Sequence, residues 1–375
     1  MLTPEQITEL VERLVGGHEE AMMAELFAQL TSSLATGGEL TVRDERLLQS
    51  VAAMNREEVA RIVAKYSRRI DAEVRDAVTQ ILIESDTGDT EILNSVYGSM
   101  VGAVGSSAAY HRIAQETAEG LARIIARNNL AMTLRAQQVW YEVTSEAIVS
   151  WNHGAESADR IITRAVRRLS REGFTTIDYA SGVKSNLDVA VRRHIVTQVN
   201  QASGRMTMQR MAAYGHDLVH TSAHFGARPD HAVWQGRVFS LSGRTKGYPI
   251  FASSTGYGSV TGLQGANCRH TFGPYFEGIT KLQKVPDKIA GMNGEQFYEA
   301  TQYQRGLERA IRDTKREIAG LQFCGTDATS ARLRLGNQQA RLKAYIEAKQ
   351  LPRQPLREKA YGITGPQPRA LRRAS

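Results

Sequence analysis

The sequence is poor in cysteine, in aromatic residues and in long hydrophobic runs. It has only two cysteines in 375 residues, Cys268 and Cys324, too few for a disulfide framework and suited to a reducing compartment. No apolar run approaches the roughly 18 residues that a membrane span needs. The first residues also lack the basic and apolar regions of a secretory signal. With 42% hydrophobic and 23% charged residues, the composition is that of a globular protein, so we expect a soluble, folded chain.

Positive charge is concentrated at one end of the chain. Residues 301–375 contain 16 Lys and Arg against 6 Asp and Glu, whereas the formal net charge of the whole chain is +8. Because Lys and Arg displace counterions from phosphates, such a surplus favours contact with a polyanion or with an acidic protein. A solvated tail would have the same composition.

Apolar periodicity predicts a helix-dominated α+β fold in four consecutive segments. Long helices are expected in an N-terminal region, 1–172, and short strands with long His- and Cys-containing loops in a central α+β module, 173–292. A C-terminal helical hairpin should occupy 293–350, and a tail rich in Pro and Arg should occupy 351–375.

The N-terminal region carries four stretches with helical spacing. They lie at about 3–33, 55–86, 107–151 and 157–172, and Gly173 is expected to end the last one as a left-handed cap. A short extended piece follows this cap.

In the central module we expect one more long helix and two strands. The helix should begin after Ser185 or Asn186 and end near Gly215, and the strands should lie at 218–223 and 237–241. Loops rich in Gly, Ser, Tyr and Pro fill the remainder.

The densest group of chemically capable side chains lies in those loops. A zinc site is conceivable from the four residues His224, His231, Cys268 and His270. Cys268 and His270 are two positions apart, however, and do not form a Cys-x-x-Cys pair, so hydrogen-bonding histidines around a buried cysteine are the favoured interpretation. Cys268 could also pair with a histidine as nucleophile and base, although no orienting carboxylate or oxyanion donor is recognisable.

The C-terminal cations are the candidates for phosphate contact. The group without acidic residues between its members is Arg332, Arg334, Arg341 and Lys343, and the tail adds Arg369, Arg372 and Arg373. Since no base-reading motif accompanies them, any contact with DNA should be independent of sequence and sensitive to salt.

Several motifs in fixed order resemble the minor capsid protein 2 family of tailed phages. They include the segments 175–182, 188–193, 304–312 and 357–362. The most distinctive positions are Arg228, Pro229, His231, Trp234, Gln235 and Gly236, followed by Asn267, Cys268, Arg269 and His270. The element Asn267-Cys268-Arg269 is also similar to head morphogenesis proteins related to the F protein of phage Mu.

This resemblance implies a minor structural protein of the phage head, without catalytic residues or cofactor, assembled in the bacterial cytoplasm and present in several copies in the virion. The implied partners are the portal protein, the major capsid protein and double-stranded DNA bound non-specifically, and the implied roles are in assembly, packaging or ejection. No membrane partner is implied.

A second hypothesis remains open beside it. The His- and Cys-containing loops could form the centre of a metal-dependent or cysteine-based enzyme, with His224, His231, Cys268 and His270 as its candidate residues. The hairpin and the tail together, residues 293–375, form what we call the C-terminal arm, and this arm has too little apolar and catalytic content to house a fused toxin domain.

Overall fold

The computed structural model describes most of the chain after residue 107. The described residues are 108–152, 158–173, 175–176, 185–323 and 325–360, together with 93–97 and the single residues Arg61, Ala64, Thr79 and Glu91. The helix expected at 3–33, most of the one at 55–86, Cys324 and the tail beyond residue 360 lie outside the described residues.

Helices make up most of the described structure. They are α1 (Ala108–Asn152), α2 (Ala158–Arg168), a π-helix (Leu169–Gly173), α3 (Leu187–Ala213), α4 (Pro229–Ala232), α5 (Phe251–Thr255), α6 (Gly294–Phe323), α7 (Thr329–Lys349) and a 3-10 helix (Pro355–Glu358). No helix among the described residues is both long and apolar enough to cross a membrane.

The strands are short and antiparallel. Strand β1 (Thr175–Thr176) pairs with β2 (Ser185–Asn186), and a separate sheet has the order β4 (Val238–Ser240), β3 (Leu218–Thr221), β5 (Phe272–Pro274). The helix-dominated α+β fold expected from the sequence is therefore confirmed.

The long helices and two of the strands lie close to their expected positions, but three features differ. The π-helix continues through Gly173, so this glycine does not follow the helix as a left-handed cap. Strand β5 was not expected, because its three residues include a glycine and a proline, which are depleted in strands. Helices α4 and α5 are too short to give a periodic pattern.

Contact density groups the chain into two compact units. Unit 1 takes in the described residues of 69–126 and 191–303, and unit 2 takes in those of 127–190 and 304–360. The boundaries fall inside α1, α3 and α6. The four consecutive segments expected from the sequence remain a prediction.

The core of unit 1 surrounds the three-stranded sheet. Register places Val219 of β3 opposite Phe239 of β4 on one side and Pro274 of β5 on the other. The buried cluster on this sheet is Met211, Val219, Trp234, Phe239, Phe251, Leu263, Cys268 and Phe272. Half of these residues belong to loops or to the short helices, so the loops are part of the core.

In unit 2 a buried carboxylate joins three helices. The Glu317 side chain of α6 is only 1% exposed, and its Oε1 accepts a hydrogen bond of 2.9 Å from Arg167 Nε of α2. Its Oε2 accepts one of 2.6 Å from Arg334 Nη2 of α7. Since a buried charge is tolerated only when it is paired, this arrangement fixes α6 and α7 together at one point.

We expect Glu317→Gln to lower the free energy of unfolding by about 3 kcal/mol, because it leaves two guanidinium groups facing a neutral amide. Chemical or thermal unfolding of the full chain checks this. The matched control is Glu299→Gln on the exposed face of the same helix, which should change stability by less than about 0.5 kcal/mol. Equal stabilities of the two variants would contradict the assigned role.

In unit 1 the carboxylate of Asp217 organises the loop after β4. It accepts hydrogen bonds from Ser240 Oγ at 2.5 Å, Thr245 Oγ1 at 2.6 Å and the Ser242 backbone N–H at 2.7 Å. Partial burial by itself would raise the pKa of Asp217, but these hydrogen bonds outweigh it, and the pKa lies well below its ordinary range.

We expect Asp217→Asn to cost about 1–3 kcal/mol of stability at neutral pH, because an amide cannot accept all three hydrogen bonds. A carboxylate whose pKa is depressed in the folded state stabilises above its unfolded pKa, and this contribution disappears as the pH falls. The difference in melting temperature between wild type and variant should therefore shrink from about pH 5 downwards. Asp287→Asn, at an exposed position, is the control, and a gap that is independent of pH would refute the charge assignment.

Candidate functional site

The candidate site lies in unit 1, where two loops meet beside the three-stranded sheet. His231 belongs to the short helix α4, whose first residue is Pro229. Proline is well tolerated there, because the first N–H groups of a helix make no hydrogen bond within the helix. Cys268 ends the loop that follows α5, and His270 lies two residues before β5. The site thus combines residues that are almost 40 positions apart in sequence.

The loop between α5 and Cys268 is tightly folded, and two of its glycines are required for this. A Cβ at Gly262 would lie 1.9 Å from the carbonyl oxygen of Gly256, and Gly256 itself has a left-handed φ of 63°. Helix α3 holds the same loop, because Asn200 Nδ2 donates to the Cys268 carbonyl at 3.0 Å and Gln201 Nε2 donates to the Gln264 carbonyl at 3.1 Å.

Three atoms that could bind a metal ion, two imidazole nitrogens and one sulfur, converge where these loops meet. His231 Nδ1 lies 3.4 Å from His270 Nδ1, and Cys268 Sγ lies 3.7 Å from the first nitrogen and 3.8 Å from the second. The three residues are 2%, 1% and 1% exposed. We call His231, Cys268 and His270 the His–Cys cluster; within the described residues it is the one group of its kind with metal-ligand spacing.

Aromatic rings cover the cluster. The buried Trp234 lies against both imidazoles, with ring centroids 4.7 Å from His231 and 4.8 Å from His270. His224 stacks on His270 at a centroid separation of 4.4 Å, but its Nδ1 contacts the carbonyl oxygen of Phe225 at 3.3 Å. His224 is therefore next to the cluster without contributing a donor atom to it.

The outer nitrogen of His270 has a defined partner. Gln235 Oε1 accepts the backbone N–H of His224 at 3.0 Å, which fixes this atom as the amide oxygen, and it also lies 3.1 Å from His270 Nε2. Since Oε1 can only accept, His270 Nε2 carries a hydrogen. The Nδ1 of the neutral ring then directs its lone pair into the cluster.

The outer nitrogen of His231 has two neighbours of opposite character. The Thr261 carbonyl oxygen, a pure acceptor, lies 2.8 Å away, and Arg228 Nη2, a pure donor, lies 2.7 Å away. If Nε2 donates to Thr261, then Nδ1 of His231 also presents a lone pair to the cluster. If Nε2 accepts from Arg228, then Nδ1 carries a hydrogen towards His270.

Burial keeps the cluster uncharged in the absence of a bound cation. Desolvation, together with neighbouring His224, His231 and Arg228, lowers the pKa of His270 to about 3. Desolvation also lowers the pKa of His231 and raises the pKa of the Cys268 thiol. A reactive cysteine needs a depressed pKa and access to solvent, so this geometry does not favour Cys268 as a nucleophile.

The other motif positions shape the loops around the cluster. Gly236 has a φ of 66°, and Asn267 adopts a left-handed φ of 57° just before Cys268, with its backbone N–H directed at Thr197 Oγ1. Arg269 is exposed; burial lowers the pKa of the neighbouring His224, and the charge of Arg269 contributes to this shift.

Four of the C-terminal cations belong to α7, in unit 2. Arg334 is bound to the buried Glu317, whereas Arg332, Arg341 and Lys343 are exposed. At about 100° per residue, Arg332 and Lys343 fall on one flank of the buried face of α7, and Arg334 and Arg341 fall on the other. The four do not form a single stripe, and Arg369, Arg372 and Arg373 lie outside the described residues.

Sequence reasoning did not find two of the groups that shape the cluster. The Thr261 carbonyl is a backbone atom, so no side-chain pattern could indicate it. Gln235 is one of the motif positions, but the sequence does not indicate its hydrogen bonds to His224 and His270, which are 11 and 35 positions away.

Comparison with known proteins adds the family. A match to the family described as "Phage minor capsid protein 2" covers residues 2–347 of the chain. A "Structural protein" of Lactococcus phage LL-H is 26% identical over 203 residues, which is 52% of this chain and 54% of that relative. The alignment thus spans about half of the relative's length. No solved structure matches. Because the family match extends over nearly the whole sequence, the chain belongs to the phage minor capsid protein 2 family.

Proposed function

We propose that this protein is a minor structural component of a tailed-phage head, which associates with the portal vertex or the inner capsid and contacts packaged DNA without sequence preference. The observation that carries the proposal is the family match over residues 2–347. The similar protein of phage LL-H is itself named a structural protein. The proposed partners are the portal protein, the major capsid protein and double-stranded DNA, with several copies in each virion.

A non-catalytic role agrees with the chemistry of the central loops. Burial lowers the pKa values of His231 and His270 and raises that of the Cys268 thiol, and Trp234 packs against both imidazoles. Long helices such as α1 and α6 offer extended faces on which other virion proteins can pack.

The contacts of the cations on α7 show which of them are the better candidates for binding DNA. Arg334 already neutralises a buried carboxylate, and phosphate would have to compete with that pair. The side chain of Lys343 is 76% exposed, and its neighbour Glu347, also 64% exposed, lies at 3.9 Å, so this surface pair is weak. Arg332 lies on the same flank about 16 Å away, and we propose these two cations as the phosphate contacts on α7.

We expect the full chain to bind duplex DNA at low salt and the double variant Arg332→Gln, Lys343→Gln to bind it more weakly. Each lost phosphate contact should reduce the slope of log affinity against log salt by about 0.9, so the double variant should lose about 2. Sedimentation or fluorescence anisotropy over a salt series measures this slope.

The matched control for DNA binding removes two exposed cations from unit 1. Arg244→Gln with Lys246→Gln makes the same change in net charge, so a general charge effect would appear in both proteins. An equal loss of slope in the two double variants would contradict the assignment to α7. Absence of binding at low salt would refute the DNA contact altogether.

For portal association, we expect the full chain to co-sediment with assembled portal protein and not with an unrelated ring of similar size. The Arg332→Gln, Lys343→Gln variant should co-sediment as well as wild type, because packing of helix faces depends less on salt than phosphate contact does. No co-sedimentation with portal assemblies or procapsids would refute this part of the proposal.

A further inference from the structure

The His–Cys cluster has the dimensions of a metal site. Zinc binds imidazole nitrogen at about 2.0–2.1 Å and thiolate sulfur at about 2.3 Å, so a tetrahedral ion holds two nitrogens about 3.3–3.4 Å apart and each nitrogen about 3.5–3.6 Å from sulfur. The cluster has 3.4 Å between its nitrogens and 3.7 and 3.8 Å from nitrogen to sulfur. Each separation is within about 0.3 Å of the value that a shared ion requires.

The protonation pattern points the same way. His270 presents a lone pair to the cluster because its Nε2–H is committed to Gln235. When His231 Nε2 donates to the Thr261 carbonyl, its Nδ1 presents a second lone pair, 3.4 Å from that of His270. The thiol of Cys268 then carries the one hydrogen in the cluster that either nitrogen could accept. In the other tautomer a direct hydrogen bond joins the imidazoles, but 3.4 Å is longer than the usual 2.9–3.0 Å or so for such a bond. A cation satisfies all three donor atoms at once.

The surroundings are those of a metal-binding histidine pair. Metal-bound imidazoles almost always donate their second N–H to a carbonyl or carboxylate, which fixes the ring orientation. Gln235 and the Thr261 carbonyl occupy these positions, and Asn200 of α3 holds the backbone of Cys268. The three ligand-bearing segments are therefore oriented by contacts outside the cluster.

We propose that His231 Nδ1, Cys268 Sγ and His270 Nδ1 bind one zinc ion, and that this ion fixes the loops of unit 1 to the sheet. The thiolate and the two imidazoles exclude calcium and magnesium as preferred ions, since these take oxygen ligands. Copper also uses a His2Cys set, but a structural role calls for a redox-inert ion, and we therefore assign zinc. The ring nitrogens of His224 do not converge with the other three ligand atoms, so the fourth coordination position belongs to a different ligand.

A structural ion has a physical purpose in this unit. The sheet has three strands of three or four residues, and residues 241–271 contain only one five-residue helix as regular structure. The free energy of metal binding adds to the free energy of folding when the unfolded chain has no preformed site. One ion that joins α4 to the residues before β5 would therefore stabilise a loop region that has few hydrogen bonds between strands.

The first experiment measures the metals in the full chain, purified without a histidine tag or chelator, by elemental analysis. We expect about one zinc per chain and a lower melting temperature after treatment with a strong chelator. Substitution with cobalt should give visible d–d bands typical of four ligands and a near-ultraviolet thiolate charge-transfer band. Metal-free protein, copper or iron in place of zinc, or a cobalt spectrum without the thiolate band would overturn the proposal.

Variants identify the ligands. Cys268→Ser should reduce zinc content at least tenfold, whereas Cys324→Ser, at the only other cysteine, should leave it unchanged. His224→Phe keeps a ring stacked on His270 and should retain zinc. Loss of zinc in His224→Phe or Cys324→Ser, or its retention in Cys268→Ser, would refute the ligand assignment.

One further variant keeps the test valid if Cys268→Ser does not fold. Gln235→Ala leaves all three ligands in place and removes the acceptor of His270 Nε2–H, so it should weaken zinc affinity by about 10–100-fold while circular dichroism remains native. Unchanged affinity in this variant would contradict the proposed orientation of His270.

Discussion

Polar groups buried inside loops are the constraint on which unit 1 depends. A buried backbone N–H or C=O needs a hydrogen-bond partner, and strands of three or four residues supply few. Side chains take their place: Asn200 and Gln201 of α3 bind loop carbonyls, and Asp217 binds the loop after β4. Cys268 of the His–Cys cluster belongs to the loop that α3 holds, so the geometry of the cluster depends on the contacts of Asn200 and Gln201.

Different sequence signals predict the regular elements. Apolar periodicity predicts α1, α6 and α7 close to their observed bounds, because it reflects the burial of one helix face. Capping residues predict the start of α3, and the content of Val, Phe and Thr predicts β3 and β4. Strand β5 is not predicted, because two of its three residues, Gly273 and Pro274, have little strand propensity. The π-helix is not predicted as a separate element, because its residues continue the helical pattern of α2 up to Gly173.

For the site, the sequence supplied residue types but not their arrangement. His224, His231, Cys268 and His270 were recognised as one group, yet their spacing follows no known zinc pattern, and hydrogen-bonding histidines were the favoured interpretation. Three of the four converge because a glycine contact between 256 and 262 folds the intervening loop back. His224 does not converge with them, because its ring stacks on His270 and presents no nitrogen to the other ligand atoms. Neither contact can be deduced from spacing.

The charge of the C-terminal arm also has to be evaluated residue by residue. Arg353 forms two hydrogen bonds with the carboxylate of Glu358, Lys315 donates to the backbone carbonyl of Glu358, and Arg312 donates to that of Arg357. Together with Arg334 on Glu317, these cations hold the arm's own elements together. Counting Lys and Arg therefore overstates the charge that is available to an outside polyanion. On α7 the exposed Arg332 and Lys343 lie on one flank of the buried face and Arg341 lies on the other, so a straight duplex would meet only one of these flanks at a time. The DNA contact that we propose for α7 would for this reason be weak and sensitive to salt.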